Sequence, residues 1–193
     1  MTAAARPQLK PGRVYRTRDL QTWSANAPRL AKRLVQEGSL VPVAHGLFVH
    51  PRRGRFGDVP PSDEELMRAF LDDGPFVFTG PDRWNALGLG STAVFAVPLV
   101  YNAKRSGTFD LGGRRFVLRR VAFPENPRPE WFVVDLLEHA EEAGASRADL
   151  VAALGRALSR GAFDRKWLRA MAERYGTRST QALVLSALGA RAA

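Results

Sequence analysis

Arg29, Lys32, Arg33 and Gln36 recur at i, i+3, i+4 and i+7, the spacing that lines one stripe of an α-helix. Three cations and an amide on one stripe are the side chains that reach phosphate oxygens and base edges. The same spacing also fits a solvated helix face, so the surrounding elements carry the decision. The three histidines, His45, His50 and His139, form no such set. His45 and His50 lie five apart without a nearby carboxylate, and His139 follows Asp135 by one helical turn, which reads as a surface pair.

Other catalytic patterns are missing. The chain has no cysteine, which excludes disulfides, cysteine-ligated zinc and a thiol nucleophile. Its carboxylates cluster as Asp63-Glu64-Glu65, Asp72-Asp73 and Glu141-Glu142, in helix first turns or ends. No Gly-x-Ser-x-Gly elbow is present. Gly88-Leu89-Gly90-Ser91-Thr92 lacks the lysine of a phosphate loop and reads as a helix stop followed by a turn. The expectation is a non-enzyme with no metal and no cofactor.

The basic stripe belongs to a predicted helix. Ser24 and Asn26 are N-cap residues, Pro28 suits a first turn, and Gly38 is a left-handed stop. Leu30 and Leu34, with Ala27 and Ala31, form the apolar face. Thr17–Trp23 before it reads as one or two helical turns. After it, two short apolar runs flank Ala44-His45-Gly46, which reads as a tight β-hairpin. Short helix, turn, helix and hairpin is the order of a winged helix-turn-helix, whose second helix enters the major groove. Arg52-Arg53-Gly54-Arg55 then reads as a flexible cationic run able to follow phosphates.

Charge distribution points the same way. The 193 residues carry 29 Lys and Arg against 19 Asp and Glu, a net charge of +10. Residues 1–58 hold 11 basic and 3 acidic side chains, residues 59–145 hold 9 and 13, and residues 146–193 hold 9 and 3. A cationic head and tail suit a polyanionic partner. No segment reaches the roughly 18 apolar residues of a membrane-spanning helix. The first seven residues have no apolar core of a secretory signal, so a cytoplasmic location is expected.

The stretch from Trp23 through Leu30, Leu34, Val35, Gly38, Leu40, Val43 and His45-Gly46-Leu47-Phe48 resembles the N-terminal winged helix of AbiEi-type antitoxins. These belong to type IV toxin–antitoxin systems, and related proteins are transcriptional regulators. Glu37 through Phe48 is similar to the family's basic-helix, Gly-x-Leu, Gly-Leu-Tyr/Phe pattern. Trp84-Asn85-Ala86-Leu87-Gly88-Leu89 resembles a shortened form of the family's middle helix. Ala172-Glu173-Arg174-Tyr175-Gly176 with Thr180 is similar to a motif near its end. The resemblance implies double-stranded operator DNA as partner, with a nucleotidyltransferase-like toxin encoded nearby as a second one. Residues expected to meet DNA are Arg18, Asn26, Arg29, Lys32, Arg33, Gln36, His45, Arg52, Arg53 and Arg55.

Further along, Arg55–Pro61 reads as a Gly/Pro connector. Ser62 with Glu65 opens a helix. Phe76–Gly80 reads as a short buried strand and Pro81–Leu89 as a short helix. Val94–Tyr101 reads as a strand with an edge or bulge at Pro98, and Phe109–Val121 as a hairpin turning on Gly112-Gly113. Pro124–Pro129 is an extended linker. Helices follow over Trp131–Ala140, Ser146–Ser159, Asp164–Tyr175 and Thr177–Leu188. The fold class is α+β, with an N-terminal winged helix-turn-helix over 1–55, a small mixed α/β middle domain over 62–123 and C-terminal helices over 130–193. Two other readings stay open: a protein-interaction module or antitoxin scaffold without DNA binding, and an enzyme on nucleic acid or nucleotides built on the middle block. Oligomeric state is left undefined.

Overall fold

A computed structural model describes residues 7–91 and 97–189. The chain is α+β and forms two compact units, residues 1–76 with 108–116, and residues 77–107 with 117–193. The expected break over 55–62 is not a connector. Residues there pair as a second hairpin, and the chain passes between units inside strands instead.

The first unit opens with β1 (Val14–Arg16), a 3-10 helix (Thr17–Thr22) and α1 (Ala27–Gln36). The hairpins β2 (Val41–Ala44) with β3 (Leu47–Val49) and β4 (Arg52–Gly54) with β5 (Gly57–Val59) follow, and then α2 (Asp63–Phe70). β3 is the centre of a three-stranded antiparallel sheet, with β1 on one side and β2 on the other. Tyr15, Leu20, Ala27, Leu30, Ala31, Leu34 and Leu40 close a core beneath α1. Ser62 caps α2, its Oγ accepting from the Glu65 N–H. Glu65 in turn accepts from the backbone N–H of Val14 in β1 at 3.3 Å. That bond ties α2 to the N-terminal sheet rather than to the middle block.

β6 (Phe76–Thr79) leads to α3 (Pro81–Ala86), β7 (Leu99–Asn102), β8 (Gly107–Leu111) and β9 (Arg114–Arg120). β8 from Thr108 onward and the start of β9 turn on Gly112-Gly113 and belong to the first unit. There the Gly112 N–H donates to the Val43 carbonyl at 2.7 Å. A hairpin expected within the middle domain therefore braces β2. In the second unit β7 and β9 run parallel, from Leu99 opposite Val117 to Asn102 opposite Arg120. The expected strand over 94–101 appears as Leu99–Asn102; Val94–Ala96 lie outside the described residues. Pro98 precedes β7, and its carbonyl accepts from Val117 N–H at 2.9 Å. β6 is an edge strand and only its Thr79 is buried, so its apolar run is half-exposed rather than buried.

Four helices complete the second unit: α4 (Pro129–Glu138), α5 (Arg147–Ser159), α6 (Arg165–Tyr175) and α7 (Arg178–Ala187). Ser146, Asp164 and Thr177 cap the last three through their side-chain oxygens. α4 is buried from Glu130 through Leu137 and forms the axis of the core. Leu136, Leu154, Leu168 and Val184, one from each helix, meet in that core. Among the described residues, no helix is long and apolar enough to cross a membrane.

Candidate nucleic-acid interface

α1 begins at Asn26, whose Oδ1 accepts from the Arg29 N–H at 3.1 Å, with Pro28 in the first turn. Gly38 ends it at φ +70°, where only glycine is unstrained. Leu30, Ala31 and Leu34 are buried, which turns Arg29, Lys32, Arg33 and Gln36 outward, all four exposed. No carboxylate among the described residues pairs with Arg29 or Lys32. Arg33 has one, Glu37, at 3.7 Å. Such an exposed contact contributes about 0–1 kcal/mol and yields readily to a competing anion.

Two clefts flank this stripe. Trp23, Ser24, Asn26, Arg29 and Arg33 border one. The other is wider, about 730 Å³, and lies between α1 and the β2–β3 hairpin. Lys32, Gln36 and His45 rim it, over a floor of Ala31, Val35, Pro42, Ala44 and Phe48. His45 is exposed in the β2–β3 turn, beside Gly46 at φ +70°. The hairpin is held from below, because the Gly46 carbonyl accepts from Thr17 N–H at 2.9 Å.

Other residues expected at the interface have different duties. The Arg18 guanidinium is bound by the Asp72 carboxylate and lies 3.8 Å from Asp19. Asp72 also meets Arg16 at 3.2 Å. Arg18 is thus engaged within the unit, by an aspartate far along the sequence. The Asn26 carbonyl oxygen is committed to its cap. His50, which is not among the residues expected at the interface, bonds the Ser39 carbonyl through Nδ1 at 2.6 Å and ties down the end of β3.

Arg52-Arg53-Gly54-Arg55 is not a flexible run. Arg52 pairs with Val59, Arg53 with Asp58 and Gly54 with Gly57, leaving Arg55 and Phe56 as a two-residue turn. Gly54 permits the close approach, since a Cβ there would lie 2.9 Å from Val59 Cγ2. Arg52, Arg53 and Arg55 are exposed on this arm.

The second unit contains a polar cluster of which only the Asp135–His139 pair is read from the sequence. Asp135 is buried on α4 and accepts from three donors: the Thr79 hydroxyl, Trp84 Nε1–H at 2.8 Å and the Tyr101 hydroxyl at 2.8 Å. His139 lies one turn on, its Nδ1 2.8 Å from the Asp135 carbonyl and 3.4 Å from its carboxylate. It is not a surface pair: the His139 side chain is 16% exposed and the Asp135 side chain 4%. Arg119 approaches His139 Nε2 at 2.9 Å and Glu142 at 3.4 Å. Burial and the neighbouring Asp135 charge hold the Tyr101 hydroxyl far above its usual range, so it remains a donor. Burial alone lowers the His139 pKa, but the hydrogen bonds and charge of Asp135 outweigh it and the net shift is upward. With three donors on Asp135, the cluster braces α3, α4, β6 and β7. The cue in the sequence is one aspartate amid Val133, Val134, Leu136 and Leu137, on a helix apolar on all sides. Asp110 is likewise structural, its carboxylate accepting from the Gly113 N–H at 3.1 Å in the β8–β9 turn.

No protein-family profile matches the chain, and no curated protein matches it. Among solved structures it is similar to the RV2827C protein from Mycobacterium tuberculosis, at 15% sequence identity and a TM-score of 0.55, over 92% of this chain and 73% of that one. At that identity the likeness is one of fold.

Proposed function

We propose that the chain is a sequence-specific DNA-binding transcriptional regulator of the AbiEi-antitoxin kind, with its N-terminal unit as a winged helix-turn-helix. α1 is the recognition helix and β2–β3 the wing. Arg29 and Lys32 neutralise phosphates, Arg33 joins them on release from Glu37, and Gln36 reads a base edge. The observation that carries this reading is the exposed stripe on α1, where Arg29 and Lys32 have no carboxylate partner among the described residues. A positive face left uncompensated beside a hairpin suits a duplex better than it suits a fold-stabilising role.

Gel shifts across a salt series, on DNA from upstream of the chain's own gene, test it. Each phosphate contact removed flattens the slope of log K against log salt by about 0.9. Arg29→Ala with Lys32→Ala should therefore flatten it by about 1.8. Gln36→Ala should cost about 1–3 kcal/mol on the cognate site and nothing on unrelated DNA. Salt-independent binding, or binding unchanged by the double variant, refutes the mechanism.

One observation favours a second reading. The cleft floor of Ala31, Val35, Pro42, Ala44 and Phe48 is apolar and could receive a protein partner such as a toxin. Val35→Asp would then abolish a protein complex, while Arg29→Ala, which alters only the border of the other cleft, would spare it.

A further inference from the structure

Phe56 is 97% exposed at the tip of the β4–β5 arm, a value that sets it apart from the other exposed large hydrophobics, Val41, Val121 and Trp167, at 40–44%. Its position is unusual for a turn. Two-residue hairpin turns ordinarily use Gly, Asn or Asp, which reach positive φ or bond their own backbone. Here Arg55 and Phe56 occupy the corner, and glycine stands just outside, with Gly57 at φ +118°. The arm is only two strands wide, about 5 Å between strands, and at 97% exposure the ring is packed on no other surface among the described residues. Arg55 places its guanidinium 5.7 Å from the ring centroid, and Arg52 and Arg53 follow along β4. Asp58, opposite Arg53, is the only acid on the arm.

An isolated apolar tip ringed by cations matches a partner that is anionic outside and apolar within. A protein surface would demand a patch, which the arm lacks. Stacked bases behind a phosphate backbone supply both properties. We infer that the β4–β5 arm is a second DNA-contacting element, whose Phe56 wedges into a base step from the minor groove while Arg52, Arg53 and Arg55 hold the flanking phosphates. This rests on the DNA-binding reading of α1 and adds deformation of the duplex to it. Apolar wedges of this kind unstack one step and kink the helix by about 20–90° toward the major groove.

The test uses the full chain and short duplexes from upstream of its own gene, carrying a fluorescent base analogue or an end-to-end energy-transfer pair. Wild-type protein should raise base-analogue fluorescence and shorten the end-to-end distance. Phe56→Ala should lose both signals and weaken binding about tenfold, and Phe56→Trp should retain them. Arg53→Ala with Arg55→Ala should flatten the salt slope by about 1.8. If wild type binds but Phe56→Ala bends and unstacks DNA equally, the wedge is wrong and the α1 reading stands. If wild type binds no duplex at physiological salt, both fall. If DNA signals ignore Phe56 while binding to phosphatidylserine vesicles requires it, the arm is a membrane contact and the inference is overturned.

Discussion

Replacing Asp135 tests whether the buried cluster holds the second unit together. Asp135→Ala leaves three buried donors, the Thr79 and Tyr101 hydroxyls and the Trp84 indole N–H, without their acceptor. Each orphaned donor costs about 1–3 kcal/mol. Tyr101 retains an alternative in His139 Nε2 at 3.3 Å, which lowers its share. The expected total is about 4–6 kcal/mol, a large part of the roughly 5–15 kcal/mol that stabilises an ordinary domain. Asp135→Asn retains one acceptor oxygen, which can serve Thr79 and Trp84 as Oδ2 does now. Its amide faces the Tyr101 oxygen instead, so the loss should be nearer 2 kcal/mol. Urea unfolding gives the midpoints, with hydrogen exchange of α4 amides as a local readout. The order wild type, Asn, Ala is the prediction. An Asp135→Ala protein within about 1 kcal/mol of wild type, or an Asn variant as unstable as Ala, refutes the argument.

Three further outcomes are expected. Glu37→Gln removes the partner that holds Arg33 at 3.7 Å and one negative charge beside α1, so DNA affinity should rise several-fold at low salt and the gain should fade as salt increases; unchanged affinity in gel shifts counts against Arg33 as a contact. His139 has a folded pKa above its ordinary 6.5, so its contribution is complete below that value and is lost as pH rises through the folded pKa. Urea midpoints should therefore fall over that window in wild type and flatten in His139→Gln, and a rise instead would reverse the assigned sign. Gly112 sits at φ +61°, and a Cβ there would meet Val43 Cγ1 at 3.3 Å. Gly112→Ala should cost about 1–2 kcal/mol of stability by thermal denaturation, from the left-handed backbone alone, and an unchanged midpoint would refute the strain assigned to this turn.

Local chemistry was readable without coordinates. The caps at Asn26 and Ser62 and the helix starts at Ser146 and Asp164 follow from residue type, because a side-chain oxygen and an unpaired N–H two or three residues on are local partners. The same holds for the stop at Gly38 and the turn at Gly112-Gly113, and for the α1 stripe, whose outward aim follows from burying Leu30, Ala31 and Leu34. The folded chain alone decided which distant partners meet. Asp72 pairs with Arg18 across 54 residues of sequence, Gly112 reaches back to Val43, and Asp135 gathers Thr79, Trp84 and Tyr101 from three other elements. The β-hairpin at 52–59 reads in sequence as a cationic run over 52–55 and a connector over 55–61, because Arg and Phe at its corner carry no turn signal; pairing between Arg52 and Val59 supplies the order instead. Periodicity and capping act over one or two turns of chain, whereas ion pairs and buried acceptors are chosen by packing, which brings together residues that no spacing rule connects.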